Sequence, residues 1–239
     1  MDAWECSLDE AVAEAPQSFR AMHTMAQAMQ QQRHREIDRC RTERQWLSGL
    51  KSHVYHTHIA ISGQHEGTLT RLAELFYHTA SQPALPWYPA FLGGQSKAVS
   101  IAPGDGVEQH QLCWATFDLG LGQPRYYRQL LSLGYPDAAT AVVVARSVDC
   151  GPVLPDSAIL AYTLNPNGEL LHWDAARQLL HWHHICCTPG ASLLPGRLDR
   201  YLMNALRFCA LDRAERRTYR EEAESMRDWL QASTNCGCE

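Results

Sequence analysis

Two histidine-bearing segments hold the residue types best suited to chemistry. One is His181-Trp182-His183-His184, followed closely by Cys186-Cys187; the other contains His56 and His58. Imidazole and thiolate are ligands of Zn2+, and imidazole is also a general base near neutral pH. Side chains alternate along a strand, so His181, His183 and Cys187 would share a face. His56 and His58 could add ligands from a second strand. Neither a C-x-x-C nor an H-x-x-x-H spacing is present, however, and no Asp or Glu stands close in sequence to orient an imidazole. The expectation is no metal centre and no cofactor, with these histidines as polar or half-buried strand residues. The chain also lacks G-x-S-x-G, Walker, G-x-G-x-x-G and H-E-x-x-H patterns. Nothing selects one Cys–His pair as a dyad, so binding is expected rather than catalysis.

Composition narrows the classes. A net charge of −5 over 239 residues gives no global basic excess for nucleic acid or an anionic membrane surface. No apolar run is long enough to span a bilayer. The acidic start, Met1-Asp2-Ala3-Trp4-Glu5, does not resemble a secretory signal. A cytoplasmic protein is expected, with most of its nine cysteines as buried thiols. The ending Cys236-Gly237-Cys238-Glu239 is a poor prenylation signal, since Gly237 is not aliphatic.

The elements that must position these groups come next. Residues 19–50 contain no proline, and Phe19, Met22, Ala26 and Met29 recur at helical spacing. One long, mostly exposed helix is expected there, polar through Gln30 to Glu36. Residues 52–62 predict a strand with Tyr55, Thr57, Ile59 and Ile61 on its buried face, and residues 66–80 an amphipathic helix. Phe91-Leu92 and Ala98 to Ile101 suggest one interrupted strand or two short ones, and 108–119 alternates well. Residues 125–133 fit either a short helix or a strand. The organising stretch is 140–206: the β-branched run Ala141 to Ala145 continues into Arg146-Ser147-Val148-Asp149, and Ala158 to Leu164 forms a second apolar run. A strand over 179–187 is favoured above a helix capped by Asp174, and an apolar helix begins near Arg197. That last helix is expected to run to about Gln231. Its first half should be buried through Leu198, Leu202, Ala205 and Cys209, and its charged second half, Arg213 through Arg227, should project or pack on the N-terminal helix.

This order of elements resembles the START-like lipid-transfer domains and their helix-grip fold, over about residues 47–210. Arg146-Ser147-Val148-Asp149 before a proline-containing turn is similar to the family's R-S-V strand. Leu160-Ala161-Tyr162 stands where members often read R-A-Y, and Leu193-Leu194-Pro195 before Leu198 and Asn204 resembles the lead-in to the last helix. The resemblance implies an α+β fold: a curved antiparallel sheet packed around a long C-terminal helix. The expected organisation is a helical extension over 1–46, the START-like domain over 47–232 and a disordered tail over 233–239. It implies an internal cavity that binds or transfers a lipid, sterol or similar hydrophobic molecule. Trp114, Arg146, Tyr162, Leu198, Leu202 and Leu206 are the expected contacts, with Arg146 as polar anchor. The alternative is a non-catalytic interaction or regulatory scaffold with a filled core, meeting a protein partner through its N-terminal helix.

Overall fold

The computed structural model describes residues 5–32, 37, 39–47, 52–85, 87–88, 90–101, 106–118, 124–151, 159–187 and 202–235; side chains are described except at 28–32, 46, 47, 52, 159, 202–212, 214, 215, 234 and 235. The chain runs α1 (Leu8–Gln32), β1 (Arg41–Leu47), β2 (Ser52–Ile61), α2 (Gly67–Tyr77), a 3-10 turn (Thr79–Ser81), β3 (Phe91–Val99), β4 (Gln109–Phe117), β5 (Arg125–Asp137), β6 (Thr140–Ser147), β7 (Ile159–Ala161), β8 (Gly168–Asp174), β9 (Leu179–Cys186) and α3 (Leu202–Asn235). The strands form one sheet in the order β1-β2-β9-β8-β6-β5-β4-β3, with β7 paired parallel to β5. All other pairings are antiparallel. This is the expected α+β sheet-and-helix architecture.

Strand alternation sorts side chains to two faces, and both are covered. The inner face carries Ile59, Ile61, Ala115, Leu131, Val143, Leu171 and Trp182. It packs on Leu69, Leu72 and Phe76 of α2 and on Ala223, Met226 and Leu230 of α3. The outer face carries Val54, Val142, Val144, Leu170 and Ile185, under Ala15, Phe19, Met22 and Ala26 of α1. Central strands buried on both sides read as continuous apolar runs, which is why Thr140 to Ala145 shows no alternation and is buried throughout.

Several expectations are revised here. The N-terminal helix begins earlier and ends earlier than its periodicity suggests, continuing through Pro16. Its apolar stripe lies against the sheet, leaving Gln17, Arg20, Thr24 and Gln27 exposed. Arg41–Leu47, read as helix, is an antiparallel strand paired to β2. Its polar composition suits the edge of a sheet, where one side of the strand faces water. Residues 91–99 form one strand with a register shift between Phe91 and Gly93, and 125–137 is a strand. Strand β8 follows the Asn165–Gly168 turn, where no strand was expected. In α3 the charged second half is the part whose burial is described, and it seats Glu222, Ala223, Met226 and Leu230 against the inner face. The helix continues through Asn235, past the start of the expected tail.

Candidate functional site: a pocket on the inner face of the sheet

Between the inner face, α2 and α3 lies a pocket of about 190 Å³. Its apolar walls come from Phe76, Leu85 and Trp87 on one side and Cys113, Ala115, Leu131, Val143 and Ala145 on the sheet. Tyr88, Phe117 and Tyr127 form an aromatic chain along it, with ring centroids 5.3 Å (Tyr88–Phe117) and 5.5 Å (Phe117–Tyr127) apart. Small residues at 113, 115 and 145 leave the volume open, since a larger side chain at any of them would project into it.

One end of the pocket is polar. Glu169 of β8 and His184 of β9 are direct cross-strand partners. Glu169 Oε1 lies 2.7 Å from His184 Nδ1, and Glu169 Oε2 accepts a 2.7 Å hydrogen bond from Trp182 Nε1. Trp182 is fully buried and stacked on Phe76, so the indole fixes the carboxylate from below. Gly168 sets the start of this strand. It has φ +146, and a Cβ there would stand 2.0 Å from the Val143 carbonyl oxygen, a clash no other residue avoids. Glu222 of α3 lines the same end, and Tyr219, one turn earlier, donates a 3.0 Å hydrogen bond to Cys186 Sγ.

The electrostatics follow from burial and proximity. Burial opposes charge on His184, but the Glu169 carboxylate, with Cys186 and Glu222 nearby, outweighs it and holds the imidazole well above its ordinary range. His184 is therefore an imidazolium at neutral pH. Burial pushes the Glu222 carboxyl up to about 7, against the lowering effect of His184. Burial, with Glu222 beside it, keeps the Tyr88 hydroxyl neutral far above pH 10. His184 Nε2 is buried and makes no hydrogen bond among the described residues. The polar end thus offers an imidazolium and a carboxyl that can donate or accept, both beside an apolar chamber.

Of the sequence-expected contacts, Trp114, Arg146 and Tyr162 do not line the pocket. Cys113 and Ala115 line the pocket, and Trp114 between them points to the outer face, where a Cβ on Gly151 would meet its Nε1 at 2.1 Å. Ala145 lines the pocket, whereas Arg146 hydrogen-bonds from Nε to Glu14 of α1 at 3.1 Å and from Nη1 to the Thr163 carbonyl at 3.2 Å. Thr163 lines the pocket, and Tyr162 is not among its walls. Leu198 lies outside the described residues; Leu202 and Leu206 are helical, in the part of α3 whose side chains are not described. Of the expected histidines, His184 reaches the pocket, while His181 and His183 take the other face. Glu169, Glu222 and Tyr127 were not expected at the site. Glu222 sits in a charged run that reads as solvated helix surface, and only its seam neighbours Tyr219, Ala223 and Met226 hinted at a buried stripe.

The sequence matches no protein-family model and no curated protein. Solved structures do share the fold. Human StAR-related lipid transfer protein 5 superposes with a TM-score of 0.53 at 13% identity, over 90% of this chain and 98% of that one. The lipid transfer and protein localization domain of human StarD13 (DLC2) gives 0.50 at 13% identity, over 87% and 94%. A STAR-related lipid transfer protein from Xanthomonas axonopodis gives 0.52 at 10% identity, over 82% and 96%. The chain therefore has the START-like helix-grip fold. Among the described residues no helix is long and apolar enough to cross a membrane.

Proposed function

We propose that the protein binds, and by doing so carries, a compact hydrophobic molecule of the lipid or sterol class, with one polar group turned toward Glu169, His184 and Glu222. The observation that carries this reading is the pocket itself: aromatic and aliphatic walls ending in buried Glu222 and half-buried Glu169 and His184. The volume of about 190 Å³ is small beside the roughly 300–1,000 Å³ of drug-sized sites, so the ligand is a single chain or ring system, or only part of a larger lipid enters. Burying about 300 Å² of ligand apolar surface contributes roughly 7–8 kcal/mol before ordering costs, which corresponds to micromolar affinity at best without polar contacts. A ligand hydroxyl or carbonyl accepting from His184 Nε2 would add to this and fix orientation.

Leu198, Leu202 and Leu206 are proposed as further apolar contacts, on their spacing of four residues and their place at the start of α3. An open interior supports this reading over a filled scaffold core. Cytoplasmic action is part of the proposal. Cys6, Cys40, Cys113, Cys150, Cys186 and Cys187 are all free thiols, as a reducing compartment would keep them. Native mass spectrometry of freshly purified protein tests the reading. A co-purifying mass lost on delipidation and regained with lipid supports it. A bare chain that takes up neither sterol nor fatty acyl compounds contradicts it.

A further inference from the structure

On the outer face, away from the pocket, five histidines from three adjacent strands come together. His58 is opposite His183 in the β2–β9 register, and His181 is opposite His172 in the β8–β9 register. His56 joins from two residues before His58. His58 and His183 rings stack with centroids 4.4 Å apart, and His58 and His181 are nearly parallel at 5.4 Å. One ring nitrogen from each of His58, His181 and His183 lies within 4.8 Å of the other two. His183 is fully buried and His181 is 9% exposed, while His58 is half-buried and gives the cluster its opening to solvent.

We infer that His58, His181 and His183 form a binding site for a borderline transition-metal ion, Zn2+ or Cu2+, with His56 as the residue that positions His183. Three neutral imidazoles converging from two rigid strands match the preference of these ions for nitrogen ligands, and an all-imidazole set excludes Mg2+ and Ca2+. Metal–nitrogen bonds of about 2.0–2.1 Å in a tetrahedron separate ligand nitrogens by roughly 3.4 Å. His58 Nε2 and His181 Nδ1 are already 3.1 Å apart, so small ring rotations suffice. His56 Nε2 lies 2.9 Å from His183 Nδ1, so His56 is placed to orient the His183 ring. A ligand imidazole normally has a partner of this kind on its second nitrogen. Arg41 stands opposite His58 in the register and is ion-paired with Glu43, which offsets its charge toward an arriving cation.

This departs from the expectation of no metal centre, which rested on the absence of C-x-x-C and H-x-x-x-H spacings and of a carboxylate close in sequence. The ligands meet through register between β2 and β9, more than a hundred residues apart in sequence.

The test uses untagged, full-length protein stripped with EDTA. Zn2+ is titrated by calorimetry, and Cu2+ binding is followed by electron paramagnetic resonance. One ion per chain is expected, with hyperfine coupling from imidazole nitrogens. His58→Ala should weaken binding at least tenfold, and His56→Gln about 10–100-fold, as for other positioning residues of metal ligands. His65→Ala, in an exposed loop, should change nothing. Absence of stoichiometric binding by the wild type would overturn the inference. So would thiolate charge-transfer bands, which would put the ion on cysteine, or an affinity unmoved by His58→Ala. The wild-type Cu2+ spectrum decides the question even where a buried-histidine variant does not fold.

Discussion

Glu169 and His184 face each other across β8 and β9, with carboxylate and imidazole 2.7 Å apart at the end of an otherwise apolar pocket. The pair is half-buried, and its carboxylate is held from the other side by Trp182. Glu169→Gln removes the charge that keeps His184 protonated. The His184 titration midpoint, followed by NMR, should then drop to or below the ordinary value near 6.5. Stability should fall by about 1–3 kcal/mol at neutral pH, because Trp182 and His184 lose a charged acceptor. An unchanged His184 midpoint would show that the pair does not set its ionisation.

The pH dependence of stability has two opposed parts. His56 and His58 are held down to about 4 and about 3, and His183 well below its ordinary value, by burial first and by neighbouring histidines second. Groups with depressed folded pKa values contribute stability that is full above their unfolded value near 6.5 and is lost as pH falls through the folded values. Glu222 runs the other way. Its folded value of about 7 contributes stability that is full below the unfolded value near 4.3 and is lost as pH rises toward 7. His184, raised in the fold, likewise loses its contribution as pH rises above 6.5. Each group contributes at most about 1.4 kcal/mol per pH unit. Three histidines against one carboxyl should make urea midpoints fall from pH 6.5 to 4.5. Glu222→Gln should raise the midpoint at pH 8 and give no gain at pH 4.5. Equal gains at both pH values would contradict the assignment.

Helix α1 is part of the core, with Met22 fully buried and Phe19 4% exposed against the outer face. Met22→Ala should cost about 2–5 kcal/mol in a denaturant melt, as for other fully buried large-to-small changes. Deleting residues 1–32 should abolish cooperative unfolding. A folded, cooperative truncation would restore the exposed-arm reading.

How much of this was legible in the chain depended on whether one face or two are covered. Strand β4 has partly exposed residues at Leu112 and Trp114, so its alternation was legible, although Trp114 takes the outer face and not the interior. In β6 both faces are buried, the alternation vanishes, and the parity of Arg146 could not be read. It points to Glu14 of α1 instead of the interior. The same parity rule splits His183 from His184, neighbours in sequence that serve opposite faces of the sheet. Strand β1 looked helical because Arg41-Thr42-Glu43-Arg44-Gln45 has no apolar pattern, and an edge position does not demand one. The fold class was visible in the order of elements. The polar end of the pocket was not, because it forms only when β8, β9 and α3 meet.

Gly168→Ala tests how the site is positioned. A Cβ would run into the Val143 carbonyl oxygen, and φ +146 is strained for any side chain. β8 must shift, carrying Glu169 away from His184. The variant should lose stability by at least about 1–3 kcal/mol and lower the His184 midpoint together with it. Loss of stability with an unmoved His184 midpoint would separate the glycine from the site.

The most direct test of the ligand-carrier claim is titration of delipidated, full-length protein with a fluorescent sterol or acyl probe, paired with a denaturant melt, for wild type and Ala145→Phe. Ala145 lines the pocket, so the larger ring should fill open volume. The expected result is saturable one-to-one binding by wild type, and loss of that binding in the variant with stability changed by less than about 1 kcal/mol. A wild type that takes up no probe, with a variant destabilised by about 1–3 kcal/mol or more as overpacking of a solid core requires, would contradict it.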